Sequence, residues 1–538
     1  MTIGEKISML RTMGNISQEQ LAEKISVSRQ AVSRWEMNQA TPQIEKIVQL
    51  CEFFNITTDE LLKEKNTIKK PTKKLKNKYF GTDGFRGEAG VNLTSMHAYK
   101  IGRFLGWYYS SPLSGCTKAG YRPRVVIGKD TRRSSYMLEY SIVAGLTVSG
   151  ADVYMLHVTT TPSVSYATRQ DEFDCGIMIT ASHNPFYDNG IKVINRYGEK
   201  IDDDTTALIE AYLDGDMRAL GISGDDLPIE RREKIGCIMD YASGRNRYIA
   251  YLISLASHSY KNLRIGLDSA NGASWMIARA VFSALGAQVE VIGAEPDGLN
   301  INRDCGSTHI EKLCRLVKER HLDAGFAFDG DADRCIAVDE NGNIVDGDKI
   351  LYILGNRLKS RDMLKNNTVV ATVMSNSGFV ASLEEAGMKC IQTTVGDRFV
   401  YECMQENDCA LGGEQSGHII MKKYATTGDG ILTAIMLTEE LCDSKRTLFS
   451  LAEPVVLYPQ YMRNIKVKDK NAVTCDSAVL TAVAEVEKSI NKKGKALLRK
   501  SGTEPVVRIM IECESEEKCI EYADDIARVI AEGGHCVE

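Results

Sequence analysis

The sequence predicts an α/β protein with three repeated α/β units and a smaller C-terminal α+β domain, preceded by a small all-α domain. Three observations support this fold class. An apolar strand, a helical stretch, a glycine and a second strand recur in that order three times after Tyr79. The chain beyond residue 455 breaks this pattern. The first 64 residues contain only short segments of helical periodicity.

Composition excludes several classes of protein. The chain has 538 residues, of which 43% are hydrophobic and 26% charged, as in soluble globular proteins with several domains. No apolar run reaches the roughly 18–20 residues that a membrane span needs, and no signal-peptide core precedes the first domain. Fifteen cysteines occur without a C-x-x-C pair, which predicts reduced thiols in a cytoplasmic protein, without a disulfide framework or a zinc site.

The charge is distributed unevenly. Residues 1–78 carry 14 lysines and arginines against nine acidic residues, while the whole chain carries 66 against 72. A basic head on an acidic body predicts a polyanionic partner for the head. Residues 65–78 are rich in lysine and contain Pro71, so we expect a solvated linker there.

The head contains two helical segments, Gln18–Ile25 and Ser28–Glu36, separated by a very short turn. This is the helix-turn-helix arrangement, in which the second helix enters the major groove of DNA. Ala22, Val32 and Trp35 are predicted to pack inside. The stretch SQEQLAEKISVSRQAVSRWE resembles the Cro/cI-type phage-repressor family, which implies that residues 1–64 bind double-stranded DNA. A helical docking module without DNA contacts is the alternative. The residues expected to face DNA are Gln18, Arg29, Gln30, Ser33 and Arg34.

The three repeats place polar loops at equivalent positions. The first strands lie within Arg124–Asp130, Leu263–Gly272 and Asn367–Gly378, and the following helices are predicted to end at Gly150, Gly286 and Gly387. The third strands follow Asp174, Asp323 and Asp408, and each runs directly into a polar loop. Because chemistry in α/β sheets lies on loops beyond the strand ends, these loops are the candidate functional segments.

The first loop, Thr180–Pro185, has the sequence TASHNP. We expect Ser182 to be exposed on a tight turn near His183 and Lys192, as a nucleophile or a phosphate carrier. G-x-S-x-G is absent and no hydrolase-type relay is evident, so acyl chemistry is disfavoured. A turn held only by local hydrogen bonds is the alternative.

The second loop, DGDADR, places Asp329, Asp331 and Asp333 directly after an apolar strand. Their mutual repulsion requires a cation, and oxygen ligands favour Mg²⁺, Ca²⁺ or Mn²⁺. An EF-hand is excluded because Arg334 stands where glycine is needed. A D-x-D-x-T loop is excluded because Asp333 replaces threonine.

The third and fourth loops carry groups that suit sugars and phosphates. GGEQSGH (Gly412–His418) lacks the Lys and hydroxyl of a Walker loop, and its polar groups suit sugar hydroxyls. RKSGTEP (Arg499–Pro505), with Arg508 beyond it, offers a glycine, two hydroxyls and a guanidinium to an anion. A polar surface turn and a capped turn, respectively, are the alternatives. Together the loops predict phosphoryl transfer on a phosphorylated polyol.

Several motifs in order resemble the α-D-phosphohexomutase superfamily over about 460 residues. They are YFGTDGFRG, TASHNPFYDNGIK, DGDADR, VGDR, GGEQSGH and RKSGTEPVVRIM. The form GEQSGH, with ATTGDGI after it, is most similar to the bacterial phosphoglucosamine mutase family. Relatives acting on mannose or glucose phosphates typically have Met in place of Gln415. The helix-turn-helix head and the stretch Ser110–Arg124 depart from the usual family pattern.

The resemblance implies an enzyme that interconverts glucosamine 6-phosphate and glucosamine 1-phosphate through a 1,6-bisphosphate. Ser182 would be phosphorylated, with activation by a sugar 1,6-bisphosphate, and Mg²⁺ would lie between its phosphate and the three aspartates. Lys192 or His418 would be the general base, and this choice stays open. The residues implied around the transferred group are Arg86, His183, Lys192 and Arg334. Those implied to bind the sugar are Glu414, Gln415, Ser416, His418, Asp397 and Arg398. Those implied to hold the other phosphate are Arg499, Ser501, Gly502, Thr503 and Arg508.

The predicted domains are a helix-turn-helix domain (1–64), the linker (65–78), and mutase domains with the phosphoserine loop (79–240), the metal loop (241–345), the sugar-binding loop (346–455) and the phosphate-binding loop (456–538). A phosphomannomutase or phosphoglucomutase, and a transcriptional regulator that only senses sugar phosphates, are the alternative functions. Repressors of the head's kind usually bind palindromes as dimers, so a homodimeric body would supply the two-fold symmetry.

Overall fold

The computed structural model describes residues 3–13, 16–38, 40–54, 61, 78–81, 83–116, 120–490, 494–500 and 506–537. The chain divides into two compact units, Met1–Asn77 and Lys78–Glu538. The predicted linker therefore lies outside the described residues apart from Lys78, and so do Ser501, Gly502 and Thr503. None of the described helices is long and apolar enough to cross a membrane.

The head, Met1–Asn77, is helical. Its described helices are α1 (Ile3–Met13), α2 (Gln18–Lys24), α3 (Arg29–Glu36) and α4 (Ile44–Phe54). Ser17 caps α2 through a reciprocal pair of hydrogen bonds with Gln20, which fixes where that helix begins. Ala22, Val32 and Trp35 are buried, which confirms the predicted interior of the head.

The remainder of the chain, Lys78–Glu538, begins with a seven-stranded sheet in the order β1-β2-β6-β5-β3-β4-β7. The strands are β1 (Phe80–Gly81), β2 (Gly84–Glu88), β3 (Arg124–Lys129), β4 (Asp152–Val158), β5 (Cys175–Ile179), β6 (Asp188–Asn195) and β7 (Ile238–Asp240). The helices around this sheet are α5 (Ser95–Ser110), α6 (Arg133–Val148), α7 (Thr161–Gln170) and α8 (Asp203–Leu213).

A five-stranded sheet follows in the order β12-β11-β10-β8-β9. Its strands are β8 (Arg264–Asp268), β9 (Gln288–Ile292), β10 (Ala324–Phe328), β11 (Cys335–Asp339) and β12 (Ile344–Val345), with helices α9 (Ala242–Ser254), α10 (Ile277–Ala284) and α11 (Glu311–Arg320). The third sheet has the order β14-β13-β15-β16. Its strands are β13 (Thr368–Thr372), β14 (Lys389–Thr393), β15 (Leu411–Gly413) and β16 (Ile419–Met421), with helices α12 (Gly347–Ser360), α13 (Ser377–Glu385), α14 (Asp397–Glu406), α15 (Gly430–Ser444) and α16 (Leu448–Ala452).

The C-terminal domain is an antiparallel sheet in the order β17-β19-β18, covered by helices. Its elements are β17 (Gln460–Lys466), α17 (Lys470–Cys475), α18 (Ser477–Ile490), β18 (Lys495–Lys500), β19 (Val506–Glu512) and α19 (Glu516–Glu532). Short 3₁₀ helices occur at Pro112–Ser114, Arg232–Lys234 and Lys365–Asn367. Three mixed α/β sheets followed by an α+β domain confirm the predicted fold class.

The repeat is visible in strand pairing. In each α/β unit one strand, β3, β8 or β13, pairs in parallel with two neighbours. The third strand then turns back into an antiparallel partner, as β5 does into β6, β10 into β11 and β15 into β16. The loops containing Ser182, Asp331 and Gln415 each occupy that same turn, so the three predicted loops are structurally equivalent.

Apolar packing connects the second and third α/β units, which contain the five-stranded and the four-stranded sheet. One buried cluster extends from Tyr248 to Val455. The first α/β unit, the C-terminal domain and the head each have cores of their own. The glycines Gly150, Gly286 and Gly387 follow helices and adopt positive φ angles of 87°, 96° and 68°. This left-handed conformation is the one in which a glycine ends a helix, as the sequence predicted.

Candidate active site

Ser182 lies at the contact between the first and second polar loops. Its hydroxyl donates to Oδ2 of Asp329, and its backbone N–H donates to the Thr180 hydroxyl at 2.9 Å. The expectation that Ser182 is exposed is wrong, because the side chain is 1% accessible beneath the DGDADR loop. The burial places the serine oxygen directly against a carboxylate in a water-poor environment.

The backbone at Ser182 is held in an unusual conformation. Its φ of 53° lies in the left-handed region, which is costly for a residue other than glycine. The Ser182 carbonyl accepts hydrogen bonds from the Arg132 guanidinium (3.1 Å) and from Asn302 Nδ2 (2.9 Å). Both donors also bind the Asn184 carbonyl, so they fix the turn from behind. The sequence pattern had indicated neither Arg132 nor Asn302.

A glycine allows the two loops to meet. A Cβ atom on Gly330 would lie 2.5 Å from the Ser182 carbonyl oxygen, which is too close for any other residue. Gly417 acts similarly in the third loop, where its φ is 89° and a Cβ would lie 2.3 Å from the Cys335 carbonyl. The DGDADR loop is therefore in contact with the loops of both neighbouring units.

The three aspartates converge as the sequence predicted. Oxygens of Asp329, Asp331 and Asp333 lie within 4.8 Å of one another, and all three residues are buried. Oδ1 of Asp331 and Oδ1 of Asp333 are buried and accept no hydrogen bond from the described residues. Burial, with repulsion from Asp333 and Asp331, raises the pKa of Asp329 well above its usual value. Three clustered carboxylates with unused oxygens form a donor set that fits a hard divalent cation such as Mg²⁺.

Lys192 lies beside these carboxylates. Its Nζ is 2.8 Å from Oδ2 of Asp331, 3.3 Å from Oδ2 of Asp333 and 3.2 Å from Oδ2 of Asp83. Burial disfavours the ammonium, but the three carboxylates outweigh that effect and hold the pKa of Lys192 well above its usual value. Lys192 is thus a fixed positive charge in this arrangement, which argues against a role as the general base.

The other predicted cationic groups surround the same point. The Arg86 guanidinium pairs with Asp83 and donates to the Ala181 carbonyl at 3.3 Å. The guanidinium Nε of Arg334 lies 3.9 Å from Oδ1 of Asp333, and the backbone N–H of Arg334 donates to Oδ1 of Asp329 at 3.2 Å. Arg86 and Arg334 therefore flank the serine turn and the aspartates.

Two histidines lie close to the serine and the aspartates. His183 Nδ1 is 3.4 Å from the Ser182 hydroxyl. Burial, and then the guanidinium groups of Arg334 and Arg86, lower the pKa of His183 to about 4, so its imidazole is neutral near pH 7. His418 accepts the Gly428 N–H at Nε2 (3.0 Å), and its Nδ1 lies 3.7 Å from Oδ2 of Asp333.

The third loop, Gly412–His418, contacts the strand that follows the DGDADR loop. The Gly417 carbonyl accepts the Cys335 N–H at 3.0 Å. Oε1 of Glu414 accepts the Gly396 N–H at 3.1 Å, and the Ser416 hydroxyl is 3.5 Å from its Oε2. Gln415 Nε2 lies 3.4 Å from Oδ2 of Asp346. Hydrogen-bonding groups of the loop are thus clustered beside His418.

Asp397 and Arg398 begin α14 next to this loop, but they differ in surroundings. Asp397 contacts Lys200 Nζ at 2.6 Å. Arg398 pairs with Asp203 and with Glu402 (2.7 Å), so its guanidinium is occupied by acidic neighbours. A cavity of about 460 Å³ opens between this helix and the turn after β6, and Lys200, Asp397 and His418 line it.

In the C-terminal domain, the two predicted phosphate-binding arginines face each other. Arg499 on β18 is the direct cross-strand partner of Arg508 on β19. Like charges in that position are unfavourable unless an anion lies between or near them. The pairing places two positively charged side chains side by side at this end of the sheet.

A second cluster of side chains that could bind a metal ion differs from the aspartates in that a cation of the protein already neutralises it. His258, Glu439 and Asp443 lie together, but Arg357 is 2.5 Å from Asp443 and 2.8 Å from Glu440. Tyr260 and the Ser257 N–H also donate to Glu439. The cluster is neutralised by its own cation and donors, so it does not need a metal ion.

The residues expected to face DNA lie on the second and third helices of the head. Arg29, Gln30 and Arg34 are exposed on α3, and Ser33 is half-buried. Gln18 Nε2 donates to Oε2 of Glu36 at 2.7 Å. A contiguous polar surface of α3 is therefore available to a partner.

Family models match the whole arrangement. Domains I, II, III and the C-terminal domain of phosphoglucomutase/phosphomannomutase match residues 77–219, 246–342, 346–458 and 462–529, and a helix-turn-helix model matches residues 7–61. A phosphoglucosamine mutase of Lachnospira eligens is 57% identical over 460 residues, covering 86% of this chain and 100% of the relative. The chain belongs to the phosphoglucosamine mutase family.

Solved structures agree with the fold of this phosphoglucosamine mutase family member. A phosphoglucomutase/phosphomannomutase family protein of Burkholderia thailandensis superposes with a TM-score of 0.68 at 22% identity, covering 85% of this chain and 97% of that one. An Aspergillus fumigatus N-acetylphosphoglucosamine mutase, solved in complex with GlcNAc-6P and magnesium, superposes with a TM-score of 0.61 at 16% identity, covering 85% and 96%. The predicted superfamily, the helix-turn-helix head and the assignment as a mutase enzyme are confirmed.

Proposed function

We propose that this enzyme interconverts glucosamine 6-phosphate and glucosamine 1-phosphate through a phosphorylated Ser182 and a glucosamine 1,6-bisphosphate. The contact between the Ser182 hydroxyl and Asp329, within a cluster of three buried aspartates, carries the proposal. It places the atom that would hold the phosphoryl group beside a donor set for a divalent cation. The 57% identity with a phosphoglucosamine mutase supports glucosamine phosphates as substrates.

The cation would be held by the carboxylates of Asp329, Asp331 and Asp333, and by an oxygen of the group on Ser182. The oxygen-only donors and the unused buried carboxylate oxygens favour Mg²⁺. When bound, Mg²⁺ would offset negative charge on the oxygens of the transferred group.

In the forward direction, O1 of glucosamine 6-phosphate attacks phosphorus as the Ser182 Oγ–P bond breaks. A new O1–P bond forms and the hydroxyl proton moves to a base. The side chains of Lys192, Arg86 and Arg334 lie beside the aspartates and the serine turn, where they would stabilise the charge that develops on the phosphoryl oxygens. The bisphosphate then turns around, and the unprotonated Ser182 Oγ attacks the phosphorus on O6. The O6–P bond breaks as the phosphoryl group returns to Ser182, and O6 takes the proton that the base holds. Glucosamine 1-phosphate leaves.

The two histidines near the serine differ in their readiness to accept a proton. Burial, and then Arg334 and Arg86, lower the pKa of His183 to about 4, so His183 is neutral near pH 7. Burial also disfavours a charged His418, but Asp333 and Asp397 outweigh it and raise the pKa of His418. We therefore assign proton transfer to His183 and charge stabilisation to Lys192, whose pKa its three carboxylates hold well above the usual value.

Turning the bisphosphate requires binding groups that accept either end of the molecule. Glu414, Gln415, Ser416 and His418 would contact ring hydroxyls that both orientations present. Arg499 and Arg508, with Ser501, Gly502 and Thr503, would hold whichever phosphate is not reacting. The cross-strand pairing of the two arginines supports an anion at that place.

A substrate panel tests this proposal. Purified full-length protein with Mg²⁺ and a trace of sugar 1,6-bisphosphate should have a kcat/KM for glucosamine 6-phosphate at least about tenfold above those for mannose 6-phosphate and glucose 6-phosphate. A preference for either of those sugars would instead support a phosphomannomutase or phosphoglucomutase. Negligible turnover on all three would favour a sugar-phosphate sensor.

We also propose that the head binds double-stranded DNA. The helix-turn-helix match and the exposed polar surface of α3 support this second function. Arg29, Gln30, Ser33 and Arg34 would read the major groove and Gln18 would approach the backbone. A homodimer would present two heads to a palindromic site. Electrophoretic mobility shift of the full chain on duplexes selected from a random library tests the proposal.

A further inference from the structure

A chain of alternating charges leads from the aspartate cluster toward the third unit. Lys192 contacts Asp331 on one side and Asp83 on the other. Oδ1 of Asp83 lies 2.8 Å from the Nζ of Lys200, and Lys200 in turn lies 2.6 Å from Oδ2 of Asp397. Lys192 is shared among three carboxylates and Lys200 between two, so each carboxylate in this series has a cation beside it.

The two ends of the series belong to different parts of the reaction. Asp331 and Lys192 lie beside the serine turn, where phosphoryl transfer is proposed to occur. Asp397 starts α14 in the third unit, and its Oδ2 lies 3.7 Å from His418 Nε2 on the sugar-binding loop. Among the described residues, Lys200 is the side chain that contacts both Asp83 and Asp397.

Other contacts besides those of Lys200 hold the first and third α/β units together. The turn of Lys200 also packs on the third unit through Glu199, which accepts the Tyr401 hydroxyl at 2.9 Å. The Gly198 carbonyl accepts the Thr426 hydroxyl at 2.7 Å. These contacts do not reach Asp83. The loss of Lys200 would thus leave the first and third α/β units docked while removing the contact that joins Asp397 to Asp83.

The position of Lys200 is partly enclosed. Its side chain is 26% exposed, and that of Asp397 is 15% exposed. Both line the cavity of about 460 Å³ that also reaches His418. Without Lys200, Asp397 would keep its charge in a poorly hydrated site, with His418 Nε2 3.7 Å away. Of the three cations beside Asp83, Lys192 and Arg86 would remain, so the pull of Asp83 on Lys192, away from Asp331, would increase.

We propose that Lys200 is a positioning residue that couples the sugar-side loop at Asp397 to the phosphoryl-side charges at Asp83 and Lys192. The inference rests on the proposed mutase function and adds a residue that neither the motifs nor the comparisons indicate. Lys200 acts through its two carboxylate partners and does not touch the reacting atoms. Its effect should therefore appear in both sugar binding and turnover.

Three full-length variants test this role. Lys200→Met keeps most of the aliphatic stem and removes the charge, and Lys200→Arg keeps the charge. Tyr401→Phe is the matched control, because it removes a contact of the same turn with the same unit without affecting Asp83. We expect K200M to lower kcat/KM roughly tenfold or more, with kcat lowered and KM raised. K200R should recover to within about threefold of wild type, and Y401F should stay within about twofold.

A double-mutant cycle with Asp397→Asn separates coupling from general damage. If Lys200 acts through Asp397, the loss in the double variant will be clearly smaller than the combined losses of K200M and D397N. Additive losses, wild-type kinetics for K200M, or equal losses for K200M and Y401F would overturn the inference. A wild-type enzyme that turns over no hexose phosphate would overturn the proposed function and this inference with it, whereas an active wild type with an unaffected K200M would overturn this inference alone.

Discussion

The hydroxyl of Ser182 donates a hydrogen bond to Oδ2 of Asp329, although the two residues are 147 positions apart in the chain. They lie on equivalent turns of consecutive α/β units, and both side chains are buried. The contact forms only when the first and second α/β units fold against each other. The oxygen proposed to carry the phosphoryl group and the carboxylates proposed to bind the cation are therefore brought together by the fold.

Removing this hydroxyl should abolish turnover. We expect Ser182→Ala to lower kcat with glucosamine 6-phosphate by at least about a thousandfold, because no other hydroxyl of the described residues bonds to Asp329. The control is Ser141→Ala, since the Ser141 hydroxyl bonds only to a carbonyl of its own helix at 2.8 Å. That variant should retain wild-type rates. Comparable activity in both variants would exclude Ser182 as the carrier.

Magnesium should stabilise the folded protein as well as support activity. Binding relieves the repulsion that raises the pKa of Asp329, and a ligand at a hundred times its Kd adds about 2.7 kcal/mol to stability. Thermal denaturation with EDTA and with Mg²⁺ should show a higher Tm with the ion. Asp331→Asn should remove most of that increase.

Asp443→Asn is the comparison for the magnesium measurement, because Asp443 belongs to the acidic cluster that Arg357 already neutralises. This variant should keep the full Tm increase with Mg²⁺. An equal loss in D443N and D331N would place the ion elsewhere.

The recognition surface of the head can be tested through single side chains. Gln30→Ala and Arg34→Ala should each weaken binding to a selected duplex by about 5- to 150-fold, the range for loss of one good base contact. Arg320→Ala removes one exposed positive charge from the mutase body and should have little effect on this affinity. Fluorescence anisotropy of a labelled duplex at fixed salt measures all three. Unchanged binding in both head variants would indicate that α3 does not read DNA.

The stability of the protein should depend on pH through Asp348. Burial, and then the nearby Asp346, raise the pKa of Asp348 to about 7. The folded state then keeps this proton up to about pH 7, whereas an unfolded aspartate loses it near pH 4. The stabilising contribution is complete below about pH 4 and is lost as pH rises through about 7.

Wild-type protein should therefore lose more thermal stability between pH 5 and pH 8 than Asp348→Asn, which has no proton to release. The Asn376 N–H donates to Oδ2 of Asp348 at 2.7 Å, and asparagine retains an oxygen that can accept it. Asp362→Asn, at an exposed position, should follow the wild-type curve. Parallel curves for D348N and wild type would contradict the raised pKa.

The sequence predicted the elements that recur. Strand and helix periodicity repeated three times, so the equivalent turns could be located, and the spacing of Asp329, Asp331 and Asp333 indicated their convergence. The buried state of Ser182 could not be predicted in this way. It results from the approach of Gly330 in another unit, and a local pattern does not contain that information.

Residues that act between units were also missed. Arg132, Asn302 and Lys200 are polar side chains with no periodic spacing. Arg132 and Asn302 bind Ser182, which lies 50 and 120 positions away from them, respectively. Lys200 binds Asp397, which lies 197 positions away. A clue for Arg132 was its place directly after an apolar strand, where functional loops of α/β sheets begin. The partners themselves follow only from the packing of the units.

The most direct test of the account is the phosphorylation state of Ser182 during turnover. Peptide mass spectrometry of active protein should find a phosphoryl group on Ser182, and the fraction phosphorylated should rise with added sugar 1,6-bisphosphate in proportion to the initial rate. Incubation with glucosamine 6-phosphate alone should move that group to the sugar and yield the bisphosphate. Full activity in protein whose Ser182 never carries phosphate would contradict the account.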